Sequence, residues 1–252
     1  MPALSHRDAH LPRVQVSGSA GESKGRIAQN VSSAFPFVRV TPLNAKGIMK
    51  YLLGEKLHFD WKVVIITIVS TLLLMVDYYH KFTPHKYWDR IILYLVIPLA
   101  IILFVFREDP KGFGLSLGDW KAGLAITVIG ILFMAPVIYF LGQGAESMKS
   151  YYEPLIEGLP WTTFLDLIGW EFLFRGWILF GYARKFGHDA LWLQAVPFAL
   201  MHNGKPEVET LSTIFGGFAF GWVAYRTKSF VWPFLIHWFI ATFIIIVAAG
   251  LI

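Results

Sequence analysis

The chain has no cysteine. That excludes a disulfide framework, a thiol nucleophile and any cysteine-ligated metal. Charge is scarce as well. Only 15% of the 252 residues are charged, against about 25% in a soluble domain, while 56% are hydrophobic and the mean hydropathy is +0.54. This is the composition of a membrane protein. There is no internal repeat and no His-Glu-x-x-His helix. Gly112, Gly114 and Gly118 lie close together but lack the strand and helix context of a phosphate loop. The net charge of +5 is not gathered into a stripe, so nucleic acid is not an expected partner. Residues 1 to 34 lack the apolar core of a signal peptide. They are polar and rich in Ser, Gly, Arg and Lys, which predicts a disordered cytoplasmic tail.

What is present is a series of apolar runs. Residues 35 to 60 set Leu43, Ile48, Tyr51 and Leu52 among Lys46, Lys50 and Lys56, a pattern that predicts a short interfacial helix. About seven segments then fill residues 61 to 252. They run from Val63 to Tyr79, Arg90 to Phe106, Ala122 to Leu141, Trp161 to Tyr182, His188 to His202, Thr210 to Tyr225 and Phe230 to Ile252. The fifth is short and carries Pro197, which predicts a tilted, kinked or protein-buried segment. The expected fold class is all-α, a polytopic membrane protein whose helices enclose a polar intramembrane cavity. Sixteen Lys and Arg fall on the N-terminal side of these segments and five on the other, with Arg175 inside one. The bias predicts a multi-pass protein of the cell membrane with its N-terminus in the cytoplasm. The connection at 143 to 160 reads as an acidic outer loop with Glu146, Glu153 and Glu157. Gly217 and Gly221 form a GxxxG pair that predicts close helix packing.

The titratable residues inside these runs are the candidates for chemistry. Glu171 sits near the middle of the fourth segment, where a charge costs about 3 kcal/mol on insertion scales. Arg175 follows four residues later on the same helix face. His202 ends the fifth segment, Glu209 begins the sixth, and His237 lies within the seventh. His58, His80, His85 and His188 sit at segment edges and are expected to meet water. An internal ion pair would account for Glu171 and Arg175 alone. Four polar groups on four consecutive segments admit two kinds of chemistry. They can hold a zinc ion with an open position, or a Glu and a His can deprotonate water while another donor stabilises the oxyanion. No short-range ligand pair favours zinc. The last segment has no Lys for a Schiff base, so a retinal protein is not expected.

Three short motifs carry a resemblance. Trp170-Glu171-Phe172-Leu173-Phe174-Arg175 is followed by Phe198-Ala199-Leu200-Met201-His202 and then by His237-Trp238-Phe239-Ile240-Ala241. In order, spacing and segment placement the sequence resembles the CAAX protease and bacteriocin-processing (CPBP, or Abi) family of intramembrane endopeptidases. That family carries Glu-Glu-x-x-x-Arg, Phe-x-x-x-His and His-x-x-x-Asn or Asp on successive helices. Two positions depart. Trp170 stands where the family has the first Glu, the one that activates water with the first His, and Ala241 stands where it has Asn or Asp. His202-Asn203-Gly204-Lys205-Pro206-Glu207-Val208-Glu209-Thr210 looks like a variant branch that pairs Trp-Glu with this stretch. The resemblance implies an endopeptidase of glutamic type, in a family also grouped with the metalloendopeptidases, that acts on a membrane-anchored protein or peptide in the bilayer. Glu171 or Glu209 would activate water with His202, His237 would stabilise the oxyanion, and Arg175 would orient Glu171. Glu209 is the preferred base, because no cation lies in its own segment. No cofactor is implied, zinc remaining the alternative. A catalytically inactive relative that binds and regulates membrane partners is the alternative function.

Overall fold

The computed structural model describes residues 45–54, 57–143 and 146–252. The expected tail at 1–34 lies outside them, as do residues 35–44. Residues 1–56 and 57–252 form separate units. In the first, helix α1 (Ala45–Leu53) leaves Met49, Tyr51, Leu52 and Leu53 exposed, so a helix is present within the segment read as interfacial.

The second unit is helical. Its helices are α2 (Trp61–Tyr79), α3 (Lys86–Phe106), α4 (Trp120–Gly142), α5 (Glu146–Tyr152), α6 (161–186), α7 (Ala190–Leu200), α8 (Glu207–Thr227) and α9 (Val231–Ala248). All seven apolar runs match a helix to within four residues at each end. Two start earlier than the apolar pattern because a polar first turn is capped. The Asp60 carboxylate accepts from the Lys62 and Val63 amides at 3.0 and 3.3 Å, and that of Asp119 from the Ala122 amide at 3.2 Å. At the last run the helix ends at Ala248, short of Ile252. The acidic connection at 143–160, read as a loop, contains α5.

Four helices are long and apolar enough to cross a membrane: α2, α3, α4 and α9. Of the other three predicted segments, α6 is the most buried, while α7 and α8 each keep one exposed apolar face. A helix shielded by neighbouring helices need not be apolar on every face. This is a polytopic membrane protein. Two helices depart from α-helical pitch. In α3 the turns Ile91–Val96 and Ile101–Phe106 are π-helical and flank Pro98, which cannot donate an amide to the regular ladder. In α6 the π-helical stretch is Phe172–Ile178, and every residue of it is buried.

α6 is the centre of the core. Phe172, Leu173, Phe174, Trp177 and Leu179 are fully buried. The Trp177 indole donates to Ser70 Oγ of α2 at 3.0 Å, and Thr163 meets Thr242 of α9 at 2.8 Å. At Gly169 the backbones of α6 and α3 come together: an added Cβ would lie 2.6 Å from the Arg90 carbonyl oxygen. Because that oxygen is main chain, one helix must move. Gly169→Ala is expected to destabilise the protein by about 1–3 kcal/mol, read as a lower thermal midpoint in detergent. The predicted GxxxG packing is formed as well. Gly217 faces Ala195 and Phe198 of α7, Gly221 faces Gln194, and the Gln194 amide donates to the Gly217 carbonyl at 2.7 Å.

Buried and half-buried charges tie the two ends of the bundle. At one end Glu108 bonds both Lys62 and Arg184. Burial pushes the Glu108 carboxyl up, but the hydrogen bonds and charges of Lys62 and Arg184 outweigh it and hold the group below its ordinary value. Towards the other end Asp77 of α2 is buried against Lys86 at 3.0 Å and Arg90 at 3.5 Å, and Arg90 also bonds Asp166 of α6.

Candidate active site

Glu171 is the last α-helical residue before the π-helical stretch of α6. Such stretches are rare and recur at functional sites. The wider pitch still brings Arg175 back over Glu171, with Nη1 3.3 Å from Oε1, and both side chains are fully buried. The same Oε1 accepts from Nδ1 of His237 on α9 at 2.6 Å. Glu171 is thus held between a guanidinium and an imidazole from two different helices.

His202 joins through aromatic rings. Its Nδ1 donates to the Phe198 carbonyl at 2.8 Å. A carbonyl can only accept, so that nitrogen carries the proton and Nε2 presents a lone pair. The Phe198 ring lies 4.5 Å from the His202 ring, 5.9 Å from the His237 ring and 3.9 Å from the Arg175 guanidinium carbon. It is the common neighbour of all three. Phe220 stacks on His237 at 5.0 Å. Trp170 meets the His202 ring edge-on at 5.9 Å and carries the Arg90 guanidinium on its face at 4.8 Å. Glu171, Arg175, His202 and His237 are therefore gathered within a shell of rings that buries all four. Several polar atoms in this shell are buried without a hydrogen-bond partner: Glu171 Oε2, Trp170 Nε1, and Nε, Nη1 and Nη2 of Arg175. Such atoms are costly to bury unless something polar reaches them.

Glu209 differs from its expected setting. Its carboxylate is bound by Lys205, four residues earlier, at 2.7 Å and by the Tyr152 hydroxyl of α5. The expectation is that no cation lies in its own segment; the cation comes instead from the preceding turn. Lys205 lies in the turn before α8, outside the apolar segment that sequence reasoning searched. The turn itself is tight: Thr210 Oγ1 donates to the His202 carbonyl at 3.0 Å. Yet Glu209 makes no hydrogen bond to His202. Among the described residues no three His, Asp or Glu side chains gather as metal ligands, so no step is derived through zinc.

Sequence reasoning missed Asp77, Arg90 and Asp166. Asp77 was legible as an acid near the end of an apolar run. Its link through Arg90 to the face of Trp170 was not.

The fold and this centre define a polytopic membrane protein with a buried Glu–Arg–His cluster at the junction of α6, α7 and α9. Residues 153–243 match the family model described as Rce1-like, type II CAAX prenyl endopeptidase. The resemblance read from the three motifs holds over this stretch, which contains all five candidate residues. No curated protein and no solved structure matches. The match supports a protease-type membrane protein, a CAAX-type intramembrane endopeptidase or a member of that family.

Proposed function

We propose that the chain is an intramembrane endopeptidase that cleaves a membrane-anchored protein or peptide with water activated inside the bundle. One observation carries this: His237 Nδ1 donates to Glu171, a carboxylate itself held by Arg175. A carboxylate on Nδ1 fixes the tautomer with a free lone pair on Nε2 and stabilises the imidazolium that forms when Nε2 takes a proton. Water loses its proton to this imidazole and adds to the scissile carbonyl carbon. The proton then passes to the leaving amine as the C–N bond breaks. His202, with Nε2 likewise free, is a second proton acceptor on the other side of Phe198. The buried Trp170 Nε1 and the unpartnered guanidinium nitrogens of Arg175 are donors available to the oxyanion, a role that Ala241 cannot fill. Relative to the sequence reading, Glu171 now orients His237, and His237 moves from oxyanion donor to base. The excess of basic residues on one side supports an N-terminus in the cytoplasm.

A second reading, a non-hydrolytic relative that binds membrane partners, is favoured by Trp170 and Ala241 at two family positions. One assay separates the two. Purified protein in nanodiscs is offered a library of membrane-tethered peptides, including a farnesylated peptide ending in Cys-aliphatic-aliphatic-X, with and without a zinc chelator. Chelator-insensitive cleavage is expected. Folded protein that cleaves no peptide supports the non-hydrolytic relative, and activity lost on chelation and restored by zinc overturns the metal-free step.

Glu209→Gln tests the remaining carboxylate. Its pairing with Lys205 and Tyr152 gives it a structural role, so turnover is expected to stay within about threefold, with a stability cost of about 1–2 kcal/mol for the lost charged hydrogen bonds. A fall in kcat on the order of 100-fold with unchanged stability would make Glu209 the base.

A further inference from the structure

A second polar feature lies at the end of the bundle that holds Glu108. Here α3, α6 and α8 finish and α2 and α4 begin. The first residues of the latter two, Trp61 and Trp120, are exposed, as tryptophans are at the headgroup level of a membrane. Between the ends of α6 and α8 and the turn at 110–113 is a cleft of about 420 Å³. Three cations, Lys111, Arg184 and Lys228, stand around an apolar floor of Phe180, Ala183 and Tyr225.

The charge in this cleft is not balanced. The Lys228 ammonium sits 3.9 Å over the Tyr225 ring and makes no ion pair with a carboxylate among the described residues. Neither does the Lys111 ammonium; the hydrogen bonds of Lys111 are main-chain ones, its amide to Asp109 and its carbonyl from Gly114. Arg184 bonds Glu108, but Glu108 is shared with Lys62, so that group of three still carries a net positive charge. Lys228 is also held in an unusual backbone state, with φ at +57°. Its amide donates to Ala224 and closes the end of α8, which fixes the start of its side chain beside the cleft.

We propose that this cleft binds the phosphate-bearing headgroup of an anionic phospholipid. The cations supply charge and donors for a phosphate, and the rings of Phe180 and Tyr225 give the glycerol and upper acyl carbons an apolar seat. Basic pockets between membrane helices at the charged interface have this chemistry. The site lies outside the Glu171 centre and does not depend on the proposed proteolysis.

The full chain is reconstituted in detergent with an equimolar mixture of phosphatidylglycerol and phosphatidylcholine, and lipid retained after washing is counted by native mass spectrometry. Wild type is expected to retain phosphatidylglycerol preferentially. The double variant Lys111→Gln/Lys228→Gln is expected to lose roughly ten- to thirtyfold of that preference, from two surface cations. Lys81→Gln/Lys149→Gln removes the same charge from the opposite end and is expected to keep it. Equal loss in both doubles, or no loss in the first, overturns the site. A separate arm offers inorganic phosphate at about 10 mM, enough to fill a site of millimolar Kd. Displacement of the retained lipid by phosphate alone overturns the headgroup as occupant, and lipid that stays bound supports it.

Discussion

Glu171→Gln is expected to lower turnover by about 100- to 10,000-fold, and to cost about 3–5 kcal/mol of stability because it leaves the buried Arg175 charge without its partner. The amide keeps an oxygen that can accept from His237 Nδ1 but carries no charge. It cannot stabilise the imidazolium that forms when His237 takes the proton of water, and an amide turned the other way favours the wrong tautomer. The shape of the site is retained, because Gln is nearly isosteric and the surrounding rings of Phe198, Phe220 and Trp170 are untouched. The measurement is kcat and KM on whichever tethered peptide the wild type cleaves, beside a thermal unfolding curve in the same detergent. A loss in kcat with KM unchanged identifies a group acting in the transition state. Near-normal turnover would remove Glu171 from the mechanism and leave it as half of a structural ion pair.

Arg175→Met is expected to destabilise the protein by about 3–5 kcal/mol, the cost of leaving a buried charge without its partner. Arg175 and Glu171 are both fully buried, and the guanidinium also lies on the Phe198 ring. Methionine matches the length of the aliphatic stem but supplies no charge. The double variant Glu171→Gln/Arg175→Met removes both charges and is expected to recover most of that stability, because an apolar replacement of a buried pair is often neutral. The recovery is read from a double-mutant cycle of unfolding free energies. Strict additivity of the two single losses would show that the groups do not sense each other. Activity separates the two roles further: the double variant should be stable and inactive.

The membrane class, the number of apolar segments and their approximate limits were determined by the sequence alone. The physical reason is that lipid imposes one requirement along a whole span, so the signal is local and additive over about twenty residues. Candidate polar residues were legible for the same reason, since a charge such as Glu171 in an apolar run is conspicuous wherever its partner lies. The order and spacing of the three motifs carried a resemblance that the family model matches over residues 153–243. Partners were not legible. His237 lies 66 residues from Glu171 and bonds it because α9 packs against α6, a contact that no periodicity reports. The π-helical pitch after Glu171 and the close approach at Gly169 decide where that carboxylate points, and both depend on the neighbouring backbones. Lys205 and Tyr152 take Glu209 out of its expected role through a turn and a short helix that carry little hydrophobic signal. Which of two carboxylates faces the imidazole was therefore a matter of tertiary packing, because a hydrogen bond requires two groups within about 3 Å and the sequence gives only their separation along the chain.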